Sequence, residues 1–205
     1  MKSIAIAALA TTCTLVTAFG HPKDFDFKDP KGVNNATFKL DAPLETITGT
    51  ANGVSGTLTV NPEDPEATKG TIIIDAKSLH VENPVMKEHL HGKEWLDSGA
   101  HGEISFTVTG LKNLKQDGNV VEATVEGEFL LKGVKKTISA PAKVTLLPGK
   151  LADRTNGQMK GDLLVVRSTF TIKRSDFKIN TEAPTDKVAD EIEISLAIAG
   201  SAPEK

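Results

Sequence analysis

Ile104-Ser105-Phe106-Thr107-Val108-Thr109 places a branched or aromatic apolar side chain at every second position and a hydroxyl between each pair. Successive side chains of a strand point to opposite faces, so this stretch is a strand with one dry and one wet side. The same reading extends in both directions. Downstream, Val121, Ala123, Val125 and Phe129 stand against Glu122, Thr124, Glu126 and Glu128. Ile138, Ala140, Ala142, Val144 and Leu146 repeat the period, and Ile192, Ile194, Leu196 and Ile198 alternate with Glu191, Glu193 and Ser195. Upstream, Thr57-Leu58-Thr59-Val60 and Gly70-Thr71-Ile72-Ile73-Ile74-Asp75 are β-branched runs bounded by turn residues. Asn61-Pro62-Glu63-Asp64-Pro65 and Asp117-Gly118-Asn119 supply the corners of antiparallel hairpins. The chain is therefore all-β, and so many half-wet strands bury their apolar faces either as a sandwich or as a closed barrel.

One segment breaks the period. Asn83-Pro84 opens a stretch of helix formers that closes at Gly99, which predicts a short helical insertion near residues 85–97. Met86, Leu90 and Trp95 fall on one side of it and are expected to pack on the sheet.

The 205 residues suit one domain. With 39% hydrophobic and 25% charged residues the composition is that of a globular chain. A net charge of −3 argues against a nucleic-acid partner, and 4% aromatics with no tyrosine argue against a stacking platform for bases or sugars. Met1-Lys2-Ser3 leads into an apolar stretch through Val16 and then small residues before His21-Pro22-Lys23-Asp24, the layout of a secretory signal peptide cleaved after Ala18 or Gly20. The apolar run of about 16 residues falls short of the roughly 20 that span a bilayer. A lipid-attachment signal at Cys13 is disfavoured by the Ala10-Thr11-Thr12 before it. The expected organisation is a leader over 1–20, one domain over 21–199 and a frayed tail over 200–205, in a periplasmic or secreted protein without stable membrane insertion. Cys13 is the single cysteine, so the mature chain carries no disulfide.

Four of the five histidines, His80, His89, His91 and His101, fall within 22 positions. On a helix His89 and His91 diverge by about 200°, whereas an extended segment would put them on one face and allow a metal site with His80 or His101. Polar-loop histidines without a metal fit the pattern better. Gly53-Val54-Ser55-Gly56 enters a strand rather than a helix and so is not a nucleophile elbow. Glu88-His89 lacks the second histidine of a zinc-protease helix at the required spacing. No catalytic residue is assigned.

Read in order, Ala36-Thr37-Phe38-Lys39-Leu40, the Ala42 to Thr50 stretch, Gly56-Thr57-Leu58-Thr59-Val60-Asn61-Pro62, Met86-Lys87-Glu88-His89-Leu90, Trp95-Leu96-Asp97, Gly127-Glu128-Phe129-Leu130-Leu131-Lys132-Gly133-Val134, Arg174-Ser175-Asp176-Phe177 and Asp190-Glu191-Ile192 resemble the YceI-like family of lipocalin-like periplasmic polyisoprenoid-binding proteins. His101-Gly102 departs from the Tyr-Pro-like pair of many members. Periodicity alone favours a plain core. The resemblance instead implies an extended antiparallel barrel of about eight strands that holds an isoprenoid or other long-chain amphiphile. It implies a lining of Leu90, Trp95, Ile104, Phe106, Val108, Phe129, Phe170 and Ile194, with Lys87, Glu88 and His89 at the mouth near the head group. A binding or carrier protein with a hydrophobic small-molecule ligand, no cofactor and no enzyme activity is the leading expectation, and a homodimer stays open. The alternatives are a metal-handling protein using His80, His89, His91 and His101 and, more weakly, an enzyme acting on a bound lipid or quinone.

Overall fold

The computed structural model describes residues 21–204; the leader expected over 1–20 lies outside them. Its strands are β1 (Lys23–Asp26), β2 (Asn35–Asp41), β3 (Thr46–Ala51), β4 (Val54–Asn61), β5 (Asp64–Asp75), β6 (Leu79–His80), β7 (Glu103–Asp117), β8 (Val120–Leu131), β9 (Val134–Leu147), β10 (Gly161–Lys173) and β11 (Glu191–Pro203). Two short helices, α1 (Pro84–His91) and α2 (Leu151–Arg154), interrupt them.

All pairings are antiparallel, and the ring β1-β4-β5-β7-β8-β9-β10-β11 closes on itself through Asp26 opposite Ser201. The first two staves are broken. β1 and β2 lie end to end along the same edge of β11, and β3 and β4 lie end to end beside them. The result is an eight-stave meander, the simplest way for half-wet strands to lose both sheet edges. We call upper the end that carries the loops 42–45, 76–102, 132–133 and 174–190, and lower the end that carries 62–63, 118–119 and 148–160.

The outer face has the charged pairs that the alternation requires. Glu122, Glu126 and Glu128 of β8 meet Lys143, Lys112 and Lys135 at 3.1, 2.7 and 3.3 Å. Each exposed pair contributes little to stability, but together they keep the outer surface wet. On the inner face Phe106 stands opposite Phe129, and Phe170 opposite Ile194, which stands opposite Phe38. Gly127 and Gly49 make room for two of these rings: a Cβ at Gly127 would lie 2.4 Å from the Phe106 ring, and one at Gly49 2.2 Å from the Phe38 ring.

The interior divides into two packed regions. The upper one gathers Leu79, Leu96, Ile104, Phe129, Leu131, Ile172 and Phe177. Phe129 meets Phe170 and Phe177 edge to face, with ring centres 6.1 and 5.5 Å apart. The lower one gathers Phe25, Phe27, Leu58, Leu164, Val166 and Ile198 against the β1, β4, β10 and β11 side of the barrel.

One expectation is corrected. Gly200 to Pro203 do not fray; they extend β11 and pair with Leu164 to Gly161. The short helical insertion stands near residues 85–97 as expected. α1 ends at His91, and the chain then turns through residues 92–100, with Gly92, Asp97 and Leu90 supplying carbonyls to the turn. Its start follows the local signal, since Asn83 caps the backbone N–H groups of Val85 and Met86 and Pro84 occupies the first turn.

Candidate functional site

Between the two packed regions runs a cavity of about 450 Å³. Its wall draws on every stave and is apolar almost throughout, as the inward phase of each strand dictates. Many inner-face side chains, among them Phe38, Phe106, Val108, Val121, Phe170 and Ile194, are only half-buried. They line the cavity as well as packing on their neighbours.

Leu90, Trp95, Ile104, Phe106, Val108, Phe129, Phe170 and Ile194 all lie on this wall. At the upper end α1 acts as a flap, turning Met86, His89 and Leu90 toward the cavity while none of its residues is buried. Lys87 and Glu88 are exposed and do not line the cavity, because a helical turn carries them to the other side of α1. Glu45, from the β2–β3 turn, shares the upper rim with His89.

The four clustered histidines do not meet. His91 is committed at both ring nitrogens: Nε2 lies 3.0 Å from the Leu79 carbonyl, to which it donates, and Nδ1 lies 3.0 Å from the Ser98 hydroxyl. His80 approaches Glu82 at 3.8 Å, and the His101 ring packs on the Gly133 turn. Among the described residues no group of three or more His, Cys, Asp or Glu is placed to hold a metal ion. The metal-handling alternative loses its geometric basis, since α1 sends His89 and His91 in different directions.

Arg174 also belongs to the wall, at 1% exposure. Its five guanidinium N–H groups go to the carbonyls of Ile179, Asn180, Ala183, Val188 and Ala189. The side chain therefore gathers the whole 174–190 connection over the upper end and keeps no donor for a ligand. Burial would raise the Asp190 carboxyl, but the Ser175 N–H and hydroxyl and the charge of Arg174 hold it below its ordinary value. Beside it, burial pushes the Lys132 ammonium down while it donates to the carbonyls of Glu94 and Lys178. The upper end is thus tied by three connections of the chain.

Residue-level reading missed the lower half of the wall, where Leu58, Val60, Pro62, Pro65, Thr68, Leu111, Gln116, Val121 and Leu146 extend the cavity. Leu58, Val60, Val121 and Leu146 carried the alternation signal. Leu111 did not, because the register shift between Val108 and Gly110 puts it out of phase with Phe106, and Gln116, back in phase beyond the second shift between Lys112 and Lys115, is polar.

A closed eight-stave meander around an apolar cavity, with a helical flap over one end, is a lipocalin-like β-barrel. More narrowly, the chain belongs to the YceI-like family, whose YceI-like domain model matches residues 29–199. It is 28% identical over 152 residues to a UPF0312 protein of Yersinia enterocolitica, spanning 74% of this chain and 72% of that one. The solved structure of BcnA from Burkholderia cenocepacia superposes with a TM-score of 0.64 at 21% identity, covering 81% of this chain and 95% of that one. A polyisoprenoid binding domain from Saccharophagus degradans, implicated in plant cell wall breakdown, superposes at 0.65 with 12% identity, covering 89% of this chain and all (100%) of that one.

Proposed function

We propose that the protein is a non-enzymatic carrier of an isoprenoid or other long-chain amphiphile, held inside the barrel and handled in the periplasm or outside the cell. The observation that carries this reading is the apolar cavity of about 450 Å³ between the two packed regions. That volume lies in the range of small-molecule sites. Each methylene buried there contributes about 0.8 kcal/mol, so a long chain binds well with few polar contacts. His89 and Glu45 sit where a polar head would emerge at the upper rim, with Lys87 and Glu88 on the outer side of α1. The structural likeness to a polyisoprenoid binding domain supports the ligand class. The leader-like N-terminus supports the compartment, and no described helix is long and apolar enough to cross a membrane.

Native mass spectrometry of the purified protein, before and after solvent extraction, tests the reading. The expected result is a bound mass of lipid size that extraction removes and a long-chain lipid restores. A protein that neither retains such a mass nor takes up a long-chain probe overturns it, and a mass removed only by a chelator would reinstate the metal reading.

A further inference from the structure

Besides the breaks in its first two staves, the barrel wall has two seams where neighbouring staves stop pairing. β9 and β10 pair only from Leu147 opposite Leu163 to Ala142 opposite Ser168, so residues 134–141 and 169–173 run unpaired at the upper end. β5 and β7 pair only from Asp75 opposite Glu103 to Gly70 opposite Val108, so residues 64–69 and 109–117 run unpaired at the lower end.

The two seams differ in what fills them. The upper one is packed: Val134 and Ile138 of β9 and Phe170 of β10 join the upper core around Phe129 and Phe177. Lys136 reaches Asp176 across its outer end at 3.5 Å. Val134 and Ile138 do not reach the cavity, although Ala140, Phe170 and Ile172 of the same seam do.

Both lips of the lower seam line the cavity. Pro65 and Thr68 of β5 and Leu111 and Gln116 of β7 all line it. The β5–β7 pairing stops where β7 enters two register shifts and the left-handed Asn113 (φ 54°), while its pairing with β8 continues to Asp117. A hydrogen bond that spans the seam, from Gln116 Nε2 to the Pro62 carbonyl, is long at 3.3 Å and exposed. Of the lower core, Phe25, Phe27 and Ile198 lie on or beside β1 and β11, while Ile72 and Val108 pack at the paired end of the seam.

We infer that the β5–β7 seam is a second mouth, through which the tail of a bound chain longer than the cavity passes out of the barrel. The inference rests on the proposed lipid-carrier reading and adds to it the ligand class: chains with no upper length limit, rather than chains matched to a closed pocket. In a pocket closed at its lower end, each added unit beyond the full length must fold back or drive the head out of the upper mouth. With an open seam the extra units leave sideways at no such cost.

Competition against the neutral fluorescent probe N-phenyl-1-naphthylamine by a homologous series of linear prenols, delivered from cyclodextrin, tests this. In the wild-type protein affinity should rise by roughly fourfold per buried methylene while the cavity fills, and then stay level as the chain lengthens. Leu111→Trp and, independently, Thr68→Trp place an indole in the seam. Each, with its β-sheet circular dichroism unchanged, should lose affinity for the longest prenols at least tenfold more than for the shortest. A wild-type affinity that falls beyond a fixed length overturns the inference. So does a length profile that both folded variants share with the wild type. If no prenol of any length displaces the probe, the carrier reading itself fails, and the second mouth fails with it.

Discussion

Arg174 shows how a single residue shapes the upper end without touching a ligand. A buried guanidinium is costly unless every donor is met, and here five backbone carbonyls meet it. Arg174→Leu leaves those carbonyls unpaired. It should cost about 3 kcal/mol or more and open the 174–190 connection to proteolysis, as read by denaturant titration and limited digestion. The histidines make the complementary case. His91→Ala removes two hydrogen bonds inside the 79–98 segment and should cost about 1–3 kcal/mol. His89→Ala touches only the rim of the cavity and should leave the melting temperature within a degree or two, by the small effect of exposed substitutions. It should instead alter the ranking of alcohol, amide and carboxylate heads in probe displacement. Equal destabilisation by the two variants would contradict this division.

At the scale of elements, the broken first stave needs a tie, because residues 27–34 leave the wall between β1 and β2. Asp29 provides it. Its carboxylate accepts the N–H groups of Lys31, Val33 and Asn34 at 3.1, 2.8 and 2.8 Å and the guanidinium of Arg154, in α2, at 3.1 Å. Asn34 extends the knot to β11 through the backbone of Ala199. Burial raises the Asp29 carboxyl, but these N–H groups and Arg154 outweigh it and hold the group below its ordinary value. A carboxyl lowered on folding contributes stability that is fully present above its unfolded pKa of about 3.9 and is lost as pH falls through the folded value. Asp29→Asn should therefore be less stable than the wild type at neutral pH by about 1–3 kcal/mol. The gap should close progressively below about pH 4, and a gap that stays constant down to pH 2 would refute the argument. Asp162 and Asp190 are lowered in the same sense, so the Asn variant keeps some acid sensitivity of its own.

For the whole molecule, the half-buried aromatic wall means that the barrel holds unsatisfied apolar surface until something occupies it. Ligand binding should therefore stabilise the fold by mass action, about 2.7 kcal/mol at a hundredfold excess over Kd. For a chain of this size that corresponds to a rise of roughly 5–10 °C in Tm on adding a long-chain prenol. Phe106→Asp puts a carboxylate midway along the wall, opposite Phe129. A folded Phe106→Asp variant should lose both the uptake of a fluorescent long-chain probe and this thermal shift. Uptake that persists in the folded variant would place the ligand elsewhere. Far-ultraviolet circular dichroism should show antiparallel β-structure with little helix, in keeping with the two short helices.

Period-two alternation was enough to make Ile104 to Thr109 and its repeats half-wet strands, because strand geometry sends neighbouring side chains to opposite faces whatever the fold. Asn83-Pro84 likewise set the start of α1 through local capping chemistry. Alternation alone was silent on sandwich against barrel, since both bury one face; ring closure depends on Asp26 meeting Ser201, 175 residues apart. The choice between a filled core and a cavity depends on how the inner side chains of all eight staves sum in volume, a property of no single strand. The β5–β7 seam lay furthest from view. The first bulge of β7 shifts Leu111 out of phase with Phe106 and Val108, the second brings Gln116 back into phase, and only the pairing of three staves shows on which side of the wall those residues then stand.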